Sequence, residues 1–227
     1  MLIGGSPCQG FSVNGKKLNF DDARSKLLFE YIRIRDVLKP DYWLLENVAT
    51  MRADIKQAID KFIGVEGIYI NSNCFSAQNR KRIYWTNIKF DIPSIPCDTV
   101  IKDILEPNIQ YNHLGISILG RQKISPTTTN RITTLNPRKT DGTQTYQQDR
   151  IYDSSGKFPA LTATLGNRFN IYDNKIYRKL TIREQARLQT IPDSYDFNCV
   201  SPIHASKVIG NGMTVDVISH ILSYLPA

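Results

Sequence analysis

A thiol, a carboxyl and a pair of guanidinium groups stand along this chain where they can do chemistry. The thiol, Cys8, lies in Gly4-Gly5-Ser6-Pro7-Cys8-Gln9-Gly10-Phe11-Ser12. Small residues and a proline directly after what reads as a strand end would hold it on an ordered loop instead of a core face. The carboxyl, Glu46, opens Glu46-Asn47-Val48 where the short apolar run Tyr42-Trp43-Leu44-Leu45 closes. Two arginines follow in Gln78-Asn79-Arg80-Lys81-Arg82. A thiolate can attack covalently, a carboxyl can move a proton, and a guanidinium can hold developing negative charge. Taken singly, each has a plainer reading. A lone cysteine is a small buried hydrophobe, a Glu at a strand end caps a helix, and arginines alternating across a strand are surface charges.

The elements that must position these groups follow from periodicity. Ser25 to Leu38 puts Leu27, Leu28, Tyr31, Ile34, Val37 and Leu38 at helical spacing, and Pro40 closes the segment. Tyr42 to Leu45 has the pattern of a buried parallel strand. Ile55, Ile59, Phe62 and Ile63 mark a second amphipathic helix, and strands are expected near 67–75 and 81–88. This alternation predicts an α/β sheet whose working groups collect at the carboxyl ends of its strands, just where Cys8 and Glu46 fall. From about 91 to 178 periodicity weakens and Pro, Thr, Asn and Gly increase, which predicts a smaller irregular domain. Thr181-Ile182-Arg183-Glu184 fits a capping box opening a helix to about Gln189, and a last helix is expected from about Thr214.

The 227 residues, 41% hydrophobic and 22% charged, exclude wholesale disorder, collagen-like sequence and a coiled coil. No apolar run is long enough for a membrane helix, and Met1-Leu2-Ile3-Gly4-Gly5 has no basic n-region followed by an apolar stretch, so a soluble cytoplasmic protein is expected. Cys8, Cys74, Cys97 and Cys199 form no CxxC pair, and with three scattered histidines there is neither zinc spacing nor a disulfide framework. The net charge is +8, and residues 121–187 hold thirteen basic against five acidic residues, so the whole excess sits in that segment. Interleaved with Thr, Asn, Gln and Tyr, it predicts a surface for phosphates and base edges. A solvated basic face without a partner is the alternative.

Order gives the blocks specificity that none has alone. Ser6-Pro7-Cys8-Gln9, Glu46-Asn47-Val48, Gln78-Asn79-Arg80-Lys81-Arg82, Arg183-Glu184-Gln185-Ala186-Arg187-Leu188-Gln189 with Pro192-Asp193, and Gly210-Asn211-Gly212, in that order, resemble the DNA (cytosine-5) methyltransferase family. Asp149-Arg150-Ile151-Tyr152-Asp153 with Gly156 and Pro159-Ala160-Leu161-Thr162 is similar to a segment of the family's recognition region. The resemblance implies an α/β class, a partial Rossmann-like methyltransferase sheet with a smaller irregular target-recognition domain. It divides the chain into a catalytic domain at 1–90, a target-recognition region at 91–178, and carboxyl-terminal helices at 179–227 that return to the catalytic domain.

The resemblance also implies roles. Cys8 is the nucleophile toward carbon 6 of cytosine, Glu46 holds the N3 and exocyclic amino edge as a proton donor with a pKa raised by burial, and Arg82 contacts O2. Arg80 supports Arg82 or reaches a phosphate. Pro7 and Asn211 lie on the side of the cofactor, S-adenosylmethionine. Gln9, Ser12, Arg121, Lys123, Arg131, Arg138, Lys139 and Arg168 are the candidate DNA contacts, the partner being double-stranded DNA with a flipped cytosine. Family members normally begin with a Phe-x-Gly-x-Gly strand-turn that binds the cofactor. No such turn occurs in these residues, so an incomplete cofactor pocket and an open apolar sheet edge at residues 2–4 and 42–45 are expected, with the cofactor half supplied either by a complementing amino-terminal subunit or by an upstream segment of the same chain. The family's restriction–modification setting implies a prokaryotic or phage source. Two other functions are weighed. A non-catalytic DNA-binding remnant would keep its effect when Cys8 is replaced by alanine. A zinc nucleobase deaminase is excluded, because its Pro-Cys-x-x-Cys motif requires a cysteine where Phe11 stands and no His-x-Glu is present.

Overall fold

The amino-terminal strand β1 (Leu2–Gly5) pairs in parallel with β2 (Trp43–Val48). Between them runs α1 (Leu27–Leu38), which buries Leu28 and Tyr31 and stops at Lys39, left-handed at φ 43°, one residue before Pro40. The computed structural model describes residues 1–7, 26–107, 109, 122–123, 126–163, 169–174 and 176–226, with the backbone alone at 122, 123 and 176. The chain folds as two compact units, one of residues 1–71, 81–93 and 219–227, the other of residues 72–80 and 94–218. Residues 72–80 and 179–218 thus fall in the second unit, whereas segmentation by sequence joins 72–80 to the first stretch and 179–218 to the carboxyl-terminal one.

In the first unit, α2 (Ala53–Ile63) ends at Gly64, whose φ of 86° lets its N–H reach back to the Asp60 carbonyl. Strands β3 (Ile68–Asn71) and β5 (Lys81–Thr86), separated in sequence by the short β4 (Gln78–Asn79) of the second unit, complete a sheet of order β1-β2-β5-β3. The β2–β5 and β3–β5 pairs are antiparallel. The core joins Leu28 and Tyr31 of α1 and Ile55, Ile59 and Ile63 of α2 to Trp43, Leu45, Ile83 and Trp85 of the sheet. Residues 42–45 are therefore not an edge, contrary to the sequence expectation. Strand β5 returns along them because Ile83 and Trp85 alternate onto the face that Leu45 occupies. Among the described residues β1 is the open edge, with Ile3 exposed.

Asp60 locks this core. Its carboxylate accepts from Trp85 Nε1 at 2.6 Å, the Gly67 N–H at 3.0 Å and Lys56 Nζ at 2.8 Å. Burial pushes the Asp60 carboxyl up, but the hydrogen bonds from Lys56, Trp85 and Gly67 outweigh it and hold the group below the ordinary aspartate range. Its stabilisation is complete above the unfolded value of about 4 and is lost as pH falls through the lower folded value. The Asp60→Asn variant is expected to be less stable than the wild type at pH 7, with the gap closing below about pH 4. Urea midpoints across that range measure it, and a gap independent of pH would contradict the assignment.

In the second unit the sheet has the order β13-β12-β10-β8-β7, with β7 (Thr127–Thr129), β8 (Ile132–Thr134), β10 (Ile151–Asp153), β12 (Asn170–Asp173) and β13 (Ile176–Lys179). Only β10 and β12 pair in parallel in this sheet. Asn130 and Arg131, at φ 51° and 63°, form the two-residue turn joining β7 to β8, a primed geometry that suits the twist of a hairpin. Two short ladders accompany it, β6 (Gln122–Lys123) with β9 (Arg138–Lys139), and β4 with β11 (Phe158–Pro159). Phe158, Tyr152, Phe169, Ile171, Leu161 and Leu188 lie in its core. Helix α3 (Ile182–Leu188) opens on the predicted capping box, Thr181 Oγ1 accepting from the Glu184 N–H and Glu184 from the Thr181 N–H. A helix not expected from the sequence, α4 (Pro202–Asn211), starts at Ser201 with Pro202 in its first turn. Helix α5 (Val215–Leu222) crosses the division between the units. No helix among the described residues is long and apolar enough to cross a membrane.

Candidate active site

The β1–β2 register sets Gly5 opposite Glu46, so the chain leaving β1 toward Cys8 passes the carboxyl end of β2. Asn47 fastens it there. Its buried side chain donates from Nδ2 to the Ser6 carbonyl at 3.2 Å and to Ser6 Oγ at 2.9 Å. Pro7, half-buried, follows Ser6. Cys8 itself, with Gln9 and Ser12, lies outside the described residues.

Strand β5 places Tyr84 opposite Glu46 and Arg82 opposite Val48. Because side chains alternate along a strand, Glu46, Arg82 and Tyr84 share the face opposite the one that carries Leu45, Ile83 and Trp85. On that face Arg82 Nε meets Glu46 Oε1 at 2.9 Å, with the two side chains 15% and 12% exposed respectively. Arg82 also donates from Nη1 to the Lys81 carbonyl at 2.9 Å. Two charges held this close and this dry present an acceptor and a fork of donors side by side, which suits recognition of a planar polar edge. The structure thus brings together Glu46, Arg82 and the strand end leading to Cys8.

Arg80 has different surroundings. It is buried in the second unit, donating from Nη1 to the Leu161 carbonyl at 2.8 Å and from Nη2 to the carbonyls of Gly210 at 3.0 Å and Gly212 at 2.8 Å. Gln78 donates to the Leu188 carbonyl at 2.9 Å and to Gln189 Oε1 at 3.2 Å, and accepts from the Leu161 N–H at 2.8 Å. Gln189 donates to the Ile209 carbonyl at 2.9 Å and accepts from Thr214 Oγ1 at 2.8 Å. A Cβ on Gly210 would lie 2.7 Å from the Thr162 carbonyl carbon, so glycine permits this close approach. Arg80 therefore ties the 161–163 loop to the end of α4 as a positioning residue. Asn211 is exposed as the last residue of α4.

The basic segment is less uniform than its charge count. Arg131 and Arg138 are exposed, while Lys139 places Nζ 4.0 Å from the centroid of the Tyr146 ring. The β6–β9 ladder sets the backbone of Lys123 opposite Arg138. Arg131 donates to the Cys97 carbonyl at 3.0 Å and lies 3.4 Å from the Asp98 carboxylate. Arg121 and Arg168 lie outside the described residues. Lys157 is fully buried and Arg178 is bonded to buried Glu184 at 2.6 Å, so these two cations serve the interior. This corrects the expectation that the whole excess faces a partner: a residue count does not separate buried cations from exposed ones.

Asn47, Gln78 and Gln189 were not singled out for a role by sequence reasoning. Each lies within a quoted block, and an Asn inside an apolar strand is an unfavourable choice that signals a specific hydrogen bond.

Comparison with known proteins places these features. A family profile, C-5 cytosine-specific DNA methylase, matches residues 1–226. The type II methyltransferase M.HhaI of Haemophilus parahaemolyticus is 29% identical over 248 residues, covering 97% of this chain and 74% of the relative. M1.ScrFI of Lactococcus lactis subsp. cremoris, another type II methyltransferase, is 33% identical over 248 residues, covering 97% and 60%. Among solved structures, the Entamoeba histolytica methyltransferase EhMeth superposes with a TM-score of 0.66 at 13% identity over 98% of this chain and 75% of that one. S. pombe Dnmt2 methyltransferase gives 0.62 at 18% identity, over 98% and 77%. The latter two show that the fold is that of the methyltransferases. Matched over nearly its entire length, the chain belongs to the C-5 cytosine-specific DNA methylase family.

Proposed function

We propose that this chain methylates carbon 5 of a flipped cytosine in double-stranded DNA through a covalent bond from Cys8 to carbon 6. The observation that carries the reading is the Glu46–Arg82 pair on β2 and β5, beside the strand end that leads to Cys8. Carbon 5 of cytosine is a poor nucleophile. When the Cys8 thiolate adds to carbon 6, the ring electrons move to carbon 5, and Glu46 protonates N3 while holding the exocyclic amino group. Arg82 donates to O2, where negative charge develops. The base inserts its edge between side chains that otherwise satisfy each other, so little polar surface is left unpaired. Asn47 holds Ser6, and with it the path to Cys8, against β2. After methylation, loss of the carbon-5 proton and departure of Cys8 restore the aromatic ring. A stacked base offers its carbon 6 to no side chain, so flipping is required.

S-adenosylmethionine, when bound, supplies the methyl group on a sulfonium. Pro7 fits a cofactor-side role, because ligands of α/β sheets gather beyond the carboxyl ends of parallel strands. Asn211, exposed on the last turn of α4, has its side chain available for the same role. A complementing segment that completes the cofactor pocket would pair along the open edge of β1. Transfer of a labelled methyl group to DNA, with 5-methylcytosine identified after hydrolysis, tests the function. Label appearing on an exocyclic nitrogen would overturn it.

DNA affinity is expected to fall with salt at a log–log slope of about −0.9 per phosphate neutralised. Arg131, Arg138 and Lys139 are the cations to which that slope is assigned. Replacing Arg138 with alanine should flatten the slope by about one contact. Fluorescence anisotropy across a salt series measures this, and a salt-independent affinity would contradict it.

A further inference from the structure

Lys157 immediately precedes β11 and is fully buried, yet none of the ion pairs among the described residues includes it. Its Nζ donates to the Ser76 carbonyl at 2.7 Å and the Asn73 carbonyl at 3.2 Å, and lies 3.2 Å from Cys97 Sγ. Two carbonyl oxygens and a sulfur thus converge on one nitrogen in a dry site, where an ammonium is best placed beside an anion. The thiol of Cys97 can supply one. Cys97 is half-buried, so a reagent can reach it.

We propose that Cys97 and Lys157 form a thiolate–ammonium pair, and that this pair is a covalent modification site for soft electrophiles, alkyl halides and peroxides, within the second unit. Burial raises the Cys97 thiol, but hydrogen bonds from Thr99 and Lys157 and the Lys157 charge bring it below the ordinary cysteine range. Cys74, beside it, is raised by burial and by the Cys97 charge, with Lys157 opposing. The other charged groups facing the site are Arg131, which donates to the Cys97 carbonyl, and the exposed Asp98 carboxylate.

The chemistry is a displacement. With iodoacetamide the thiolate forms an S–C bond, the C–I bond breaks, and iodide leaves with the bonding pair. With hydrogen peroxide an S–O bond forms, the O–O bond breaks, and the departing hydroxide takes a proton to become water, leaving a sulfenic acid. Either product removes the thiolate and leaves Lys157 without its anion. The next residue, Phe158, donates its N–H to the Ala77 carbonyl at 2.7 Å and pairs with Gln78. Modification of Cys97 therefore weakens the ladder that carries Gln78 toward Arg80. The site does not depend on the catalytic role of Cys8.

The test is alkylation of the full chain by iodoacetamide between pH 5 and 10, with the rate at each cysteine read by peptide mass spectrometry. In the wild type, the Cys97 profile is expected to reach its midpoint at a lower pH than that of Cys74. In Lys157→Met this advantage should vanish and the Cys97 rate at pH 7 should fall several-fold. Coincident profiles for Cys97 and Cys74 in the wild type would overturn the proposal, as would an unchanged Cys97 rate in folded Lys157→Met. Should that variant fail to fold, the wild-type profiles alone decide.

Discussion

Replacing Cys8 with serine is expected to lower methyl transfer to cytosine by a factor on the order of 10⁴, with DNA affinity within about twofold of the wild type. A hydroxyl is almost never ionised at neutral pH, so the attack on carbon 6 that makes carbon 5 nucleophilic does not begin. The sequence sets Cys8 in a Gly- and Pro-containing segment after a strand, so the fold is not expected to suffer. Incorporation of labelled methyl into DNA, set beside binding by anisotropy, separates chemistry from affinity. Activity within tenfold of the wild type would remove Cys8 from the reaction and favour the DNA-binding remnant.

Replacing Glu184 with alanine is expected to destabilise the second unit by about 3–5 kcal/mol. Both oxygens of this fully buried carboxylate accept from Arg178 at 2.6 Å, and they also take the N–H groups of Glu106 and Thr181, each at 2.9 Å. The substitution leaves a buried guanidinium without its anion and removes the capping box of α3. Against a typical domain stability of about 5–15 kcal/mol, that loss is large enough to unfold much of the unit at 37 °C. Replacing both partners at once, Arg178→Met with Glu184→Leu, is expected to cost less than Glu184→Ala alone, because no charge is stranded. Urea unfolding of the three chains measures this. A loss under about 1 kcal/mol for Glu184→Ala would mean that water reaches Arg178.

The alternation of strand and helix over residues 1–90 was legible because each element has its own period. Leu28 and Tyr31 stand three apart on α1, and Ile55, Ile59 and Ile63 four apart on α2, and all are buried. The Thr181–Glu184 box was legible because both partners lie within one turn. What escaped were contacts made over long separations. Gln78 and Gln189 meet across 111 residues, and nothing local marks either as the other's partner. Arg80 and Arg82 are two apart in sequence, yet Arg80 spends its donors on three backbone carbonyls while Arg82 meets a carboxylate. The family resemblance implies that Arg80 supports Arg82 or reaches a phosphate, and neither role is visible in the spacing. Lys157 was counted among the cations of a DNA-facing surface, although its ammonium is buried against Cys97. A Pro-Cys turn and a Glu at a strand end could be placed side by side from sequence, but the Asn47 clamp on Ser6 needed the β1–β2 register.

The central claim is that Cys8 adds to carbon 6 and makes carbon 5 reactive, and that step needs no methyl group. Once Cys8 has added, carbon 5 can take a proton from water, and reversal then releases the original hydrogen. DNA carrying tritium at carbon 5 of cytosine is therefore expected to lose it to water when incubated with this chain without S-adenosylmethionine, and to keep it with Cys8→Ser. Retention of tritium by DNA that the wild-type chain binds, or equal release by Cys8→Ser, would contradict the account.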